Sequence, residues 1–168
     1  MQVLSRQRGV SLIEVLVAVV VFSVGVLGIA LMQIKGSQYS KQAGARTVAV
    51  LQARSLADAM RANPAGVYGV STVSAIAAKN GDLSGSYYIY DGATAPDPAD
   101  CSPDPCKQAK RDLQAWLLGM KNGLTGPAAT VANNTAANTG TLRISTSWNA
   151  MSPGGASNND TYQFDFQP

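Results

Sequence analysis

The sequence predicts an α+β protein in which a long N-terminal helix, apolar in its first half and amphipathic in its second, packs on a small antiparallel sheet. Three observations carry that expectation. An uncharged, almost wholly apolar run extends from Val15 to Met32. Helical spacing of apolar residues then continues to Asn63-Pro64. Two segments near the C-terminus alternate apolar and polar residues with the period of a strand.

The first element, residues 10–34, is about the length that crosses a bilayer as a helix. Arg6 and Arg8 precede it, and the positive-inside rule keeps such residues cytoplasmic. A cleaved secretory signal is a competing reading. The apolar run is longer than a usual signal core, however, and no clear Ala-x-Ala site follows it. Glu14, the only glutamate in the chain, lies inside this element, next to the start of the uncharged run. A carboxylate there costs roughly 2.5–3.5 kcal/mol on insertion scales, so it usually marks a function; the bland reading has it snorkelling to the headgroups.

The second element, residues 35–63, is the amphipathic stem. Tyr39, Ala43, Val50, Ala53, Ala57 and Met60 share one face, and Lys41, Arg46, Arg54 and Arg61 lie elsewhere. The stripe lacks the sustained leucines of a coiled coil. Asn63-Pro64 ends the helix, because the residue before proline disfavours helical backbone. From Val10 to Ala62 such a helix is roughly 80 Å long. Gly25, Gly28, Gly36 and Gly44 interrupt it at about 1 kcal/mol each relative to alanine.

Residues 64–168 form the α+β domain. The stretch 65–85 is rich in Gly, Ser and Ala and reads as loop. Ser86–Tyr90 reads as a short strand. Asp104-Pro105 starts a helix, with Asp104 as cap, whose apolar face is Ala109, Leu113, Trp116, Leu117 and Met120. Gly126–Gly140 reads as loop. In Thr141–Trp148, Leu142, Ile144, Thr146 and Trp148 share a face; in Thr161–Phe166, Tyr162, Phe164 and Phe166 do so. The Asn/Gly-rich stretch between them predicts an antiparallel pair. Trp116 and Trp148 read as core residues.

Composition narrows the function. Hydrophobic residues make up 46% and charged residues 14%, low for a soluble domain. The net charge of +3 is concentrated at the N-terminal end, whereas residues 63–168 carry eight acidic and six basic side chains. A nucleic-acid binder shows a basic face on its folded domain, so nucleic acid is not an expected partner. With two cysteines and no histidine, a four-ligand zinc site lacks its ligands and the commonest general base is missing. No cofactor and no enzymatic activity are expected; a membrane-anchored periplasmic enzyme would show a recognisable nucleophile or metal cluster.

The segment Arg8-Gly9-Val10-Ser11-Leu12-Ile13-Glu14, followed by the apolar run, resembles the class III leader of type IV prepilins and pseudopilins. The resemblance implies that residues 1–9 are a leader peptide. Prepilin peptidase would cut between Gly9 and Val10 and methylate the new amino terminus on Val10. Phenylalanine is commonest at that position in the family. Glu14 then falls at the fifth mature position, where the family carries its glutamate. Cleavage would remove Arg6 and Arg8 and lower the net charge from +3 to +1. A buried ammonium group among packed helices is costly unless paired, and Glu14, about 6 Å along the helix from Val10, is placed to pair with that of a neighbouring subunit.

Met60-Arg61-Ala62-Asn63-Pro64 at the stem end resembles the PilV-type minor pilins, as does a short Cys loop leading into Asp112-Leu113-x-x-Trp116. That resemblance implies a protein of the inner membrane, single-pass with its domain in the periplasm. It would then be built into a pilus with other minor pilins, the major pilin and the assembly platform, priming assembly for twitching motility or adhesion. A type II secretion pseudopilin shares the leader and stem and is the alternative. Cys101 and Cys106 bracket Ser-Pro-Asp-Pro, and in an exported domain such a pair is expected to form a disulfide.

Overall fold

The computed structural model describes residues 11–134, 140–151 and 157–168. The chain divides into two compact units, residues 1–40 and 41–168. Helix α1, Leu12–Ala62, contributes to both. In the first unit, every described residue up to Ser37 is exposed.

The second unit is an α+β domain. After α1 come a single helical turn, α2 (Pro64–Val67), a 3-10 segment at Val73–Lys79, another at Pro98–Asp100, and helix α3 (Asp104–Gly123). Strands β1 (Ala128–Asn133), β2 (Leu142–Met151) and β3 (Ser157–Phe166) form one sheet in the order β1-β2-β3, with both pairings antiparallel. The predicted fold class is the one observed.

Why these residues make these elements is clear at the core. On α1, Ala49, Ala53, Leu56, Ala57 and Met60 are buried. They meet Ala109, Leu113, Trp116 and Met120 of α3 and the inner faces of the strands in one cluster. The expected stripe holds at Ala53, Ala57 and Met60, but it is corrected lower down. Tyr39 and Ala43 are exposed, while Ala49 and Leu56 carry the burial instead. Leu142, Ile144, Thr146 and Trp148 are all inward on β2, and Phe166 anchors β3. Tyr162 and Phe164 are half-buried. The residues read as core tryptophans, Trp116 and Trp148, are 3% and 1% exposed.

Glycine sets how closely α3 approaches α1. A Cβ on Gly119 would lie 2.6 Å from the Gln52 Oε1 atom, and one on Gly123 would lie 2.6 Å from the Val48 Cγ1 atom. Val48 is short and β-branched, so a methyl group at Gly123 would push the helices apart, whereas the end of the Gln52 side chain can swing aside from one at Gly119.

Several local expectations are corrected. The Gly126–Gly140 loop contains β1, whose Ala129 and Val131 point inward and whose six residues pair with Leu142–Ser147. Ser86–Tyr90 is not a strand: Tyr87 and Tyr88 sit in a turn, and only Tyr90 bridges to Val131, through two backbone bonds of 2.9 Å. Residues 65–85 include α2 and a 3-10 segment. Asp104 is the first residue of α3 rather than its cap; Pro103 holds the cap position without a side-chain bond. The β2 and β3 strands are also longer than their alternating apolar cores, because polar residues such as Asn149 and Asn159 remain in register.

Candidate assembly site

The start of α1 is built from a run of good apolar formers with one acid. The Ser11 carbonyl accepts bonds from the Glu14 and Val15 amides, at 3.0 and 3.3 Å, closing the first turn. Glu14 lies in that turn. A carboxylate there complements the positive end of the helix dipole, a local reason for its tolerance that the sequence pattern did not expose. Beside it, Val15, Ala18, Val19 and Phe22 form an apolar groove. Among the described residues Glu14 makes no ion pair.

Glu14 is surrounded by apolar surface that no other described residue covers. From Leu12 to Ile34 the large apolar side chains are 47–84% exposed. A monomer in water does not leave so continuous an apolar surface bare. A helix apolar on every side belongs in lipid or among other helices. This helix is long and apolar enough to cross a bilayer. Gly9 and Val10 lie outside the described residues.

In the second unit the structure draws together two segments far apart in sequence. Asn63 takes an extended φ of −128°, as a residue before proline does, and its Oδ1 accepts the Gly66 amide at 3.1 Å to cap α2. Its Nδ2 donates to the Pro105 carbonyl at 2.8 Å and to the Tyr88 hydroxyl at 3.3 Å. The Tyr88 hydroxyl donates to Asp112 at 2.5 Å, and Gln108 donates to the other Asp112 oxygen at 2.7 Å. Burial of Tyr88, reinforced by the Asp112 carboxylate, pushes its hydroxyl pKa up. The stem end and the Asp112–Trp116 segment of α3 therefore meet through Tyr88. Sequence reading singled out both segments but not the tyrosine that joins them.

Cys101 and Cys106 form the expected disulfide, with Cα atoms 5.6 Å apart and both cysteines buried. It ties the loop before α3 to the first turn of that helix. Gln114 adds a second tether by donating to the Pro96 carbonyl at 2.7 Å. Among the described residues no group of three or more potential metal-binding side chains occurs.

Residues 4–30 match the family model of the prokaryotic N-terminal methylation motif. The match takes in Gly9, Val10, Glu14 and most of the exposed apolar helix. No curated protein and no solved structure matches the chain. The motif and the helix together support a type IV pilin-like or pseudopilin-like protein, a structural protein by class, and are consistent with anchoring in a membrane.

Proposed function

We propose that the chain is a minor pilin of the PilV type, made in the bacterial inner membrane with residues 64–168 in the periplasm. Prepilin peptidase cuts it between Gly9 and Val10 and methylates Val10. The assembly platform then builds it into a pilus with other minor pilins and the major pilin, where it primes assembly and supports twitching motility or adhesion. One observation carries the reading: the methylation motif at residues 4–30 runs into an apolar helix exposed on every side, with Glu14 in its first turn.

The chemistry is that of a buried ion pair between subunits. In lipid Glu14 sits at the helix end, within reach of the headgroups. In a filament it would lie among apolar helices, where an unpaired carboxylate is expensive. The new amino terminus of a neighbouring subunit supplies the opposite charge, and the pair sets the axial register.

The test measures two steps separately. Substituting Gly9 with a bulky residue should leave the leader in place; an unchanged switch to the mature mass would overturn the processing step. Glu14→Ala should leave processing intact and remove the protein from sheared filaments. Normal incorporation of that variant would sink the pairing role. The pseudopilin reading shares the motif. It takes over if wild-type protein is missing from purified pili and its deletion impairs secretion.

A further inference from the structure

Beyond the stem, the positive charge of the folded domain is gathered on one helix. Residues 63–168 carry six basic side chains, and four of them, Lys107, Lys110, Arg111 and Lys121, lie on α3. The other two have acids at hand: Arg143 bonds Asp165, and Lys79 acts on Asp82. On α3 the acids do not balance the charge. Both Asp112 oxygens are occupied, by the Tyr88 hydroxyl and by Gln108. Lys110 acts on Asp91. Lys107 lies 3.8 Å from Asp104, whose side chain is 98% exposed, so water screens that pair. Arg111 is exposed, has no acid three or four positions away, and makes no ion pair among the described residues. Lys107 and Arg111 stand four residues apart on one face of the helix, where like charges repel. A negative group held between them turns that repulsion into two attractions.

The same face borders a cleft. Asp104, Lys107, Gln108 and Arg111 recur at helical spacing and line one wall of a cleft of about 400 Å³, beside Asn63 and Pro105. That volume is in the range that holds small ligands. Its floor is fixed before any ligand arrives. Asn63, 9% exposed, donates to the Pro105 carbonyl at 2.8 Å and accepts the Gly66 amide at 3.1 Å. Gln108 is tethered to Asp112 at 2.7 Å through its amide nitrogen, which keeps its side-chain oxygen as an acceptor. A floor ordered in advance lowers the cost of binding. The first turn of α3 adds no anion hole of its own, because the Cys106 and Lys107 amides already bond the Pro103 carbonyl. Recognition of a negative group therefore falls to the two cations.

We propose that this cleft binds a carboxylate carried on a peptide-like ligand. Charge sets the class. Lys107 and Arg111 against Asp104 leave one net positive charge, which a single carboxylate neutralises and a phosphate group, closer to a dianion at neutral pH, overshoots. The planar Arg111 guanidinium matches a carboxylate through two parallel N–H···O bonds, and Lys107 adds a point charge. The cleft is larger than a carboxylate alone requires. Asp104 and Gln108 line the remainder with acceptors, which suit the backbone N–H groups of a peptide. The site uses none of the exposed apolar surface of α1, so it stands apart from the filament reading.

The test titrates the full chain, isotope-labelled and in a non-ionic detergent, with aspartate blocked at both ends as amides. The amide signals of Lys107, Gln108 and Arg111 are followed by NMR. Saturable shifts centred on these residues and Asn63 are expected, and the blocked asparagine analogue should produce none. Arg111→Gln keeps a good helix former and should weaken binding about tenfold. Asp104→Asn should tighten it about twofold, because a repelling charge is removed. Opposite effects from two exposed residues of one face are not what a merely structural role would give. Inorganic phosphate at the same ionic strength should bind more weakly than the blocked aspartate. Absence of a saturable shift overturns the proposal, and so does equal or tighter binding of phosphate. A loss of the same size for Lys121→Gln, which lies outside the cleft, also overturns it, since it would mean diffuse attraction to a basic helix. Signals away from the cleft report that each variant is folded. Recovery in sheared filaments, measured separately, decides the pilin reading whatever the titration gives.

Discussion

Two stretches of one helix use similar residues to opposite ends. Between Leu12 and Ile34, the large apolar side chains of α1 are 47–84% exposed; between Ala49 and Met60, the inward residues are at most 2% exposed. The difference lies in what accompanies them. The lower stretch is apolar on every side and has no polar face to offer water. The upper stretch mixes alanines with Arg54 and Asp58, so one side can be covered by α3 and the sheet while the other stays wet. Burial in the second unit is achieved by the chain itself. Burial of the first stretch requires lipid or another subunit, and the exposed apolar surface is in that sense a specification for a partner.

The sharpest way to break this comparison is to truncate one large apolar residue in each region. Trp148→Ala removes a 1% exposed side chain from the centre of the sheet and should destabilise the domain by about 3–5 kcal/mol. Leu27→Ala removes a side chain that is 65% exposed and should change domain unfolding by less than about 0.5 kcal/mol. Denaturant unfolding of the detergent-solubilised chain, followed by tryptophan fluorescence, measures both. Equal effects would mean that the first unit is not energetically separate from the domain core.

How far the sequence revealed this follows the same division. Glu14 was legible because one acid in a long apolar run breaks a pattern in which every other position agrees. The inner face of β2 was legible because Leu142, Ile144 and Trp148 are large and recur with period two. β1 was not, since its three alanines and Asn133 have weak strand preference and its strand state is supplied by pairing with β2 and Tyr90. Extending the stem stripe down to Tyr39 and Ala43 failed for a physical reason. Periodicity records which residues can share a face, whereas burial depends on where the domain reaches. The convergence of Asn63, Tyr88 and Asp112 lies beyond any local pattern, because it joins residues up to 49 positions apart.

Within the second unit the next effect comes from covalent closure. Cys101→Ser/Cys106→Ser opens a short loop and should cost about 2 kcal/mol on the chain-entropy account. Reducing agent should lower the stability of wild type to that of the double variant and leave the variant unmoved. A wild type indifferent to reduction would show that the loop is held by the Gln114–Pro96 tether instead.

Tyr88→Phe tests the junction at the stem end. It deprives Asp112 and Asn63 of a buried partner and should cost about 1.5 kcal/mol. Burial, and then the bond to Asp112, raise the hydroxyl pKa in the folded state above its ordinary value of 10.0. Folding therefore favours the protonated phenol. Its contribution is complete below the unfolded pKa and is lost as pH rises beyond it. Wild type should lose stability on the alkaline side more steeply than Tyr88→Phe, measured by unfolding midpoints across that range.

The smallest effect belongs to the sheet surface, and it tests whether charge matters there without burial. Arg143 and Asp165 are directly opposed on β2 and β3 and bond in two places, at 2.7 and 2.9 Å. Their side chains are 39% and 44% exposed, so water and salt screen the pair and its coupling should be the weakest of these effects. The guanidinium bonds hold the Asp165 carboxyl below its usual range. The contribution is therefore present above the unfolded carboxylate pKa and is lost as pH falls through the lowered folded value. A double-mutant cycle with Arg143→Ala and Asp165→Ala, repeated at high salt and on the acid side, should show the coupling shrink under both conditions. Coupling that resists salt would mean the pair is sheltered, by contacts that its exposure does not reveal.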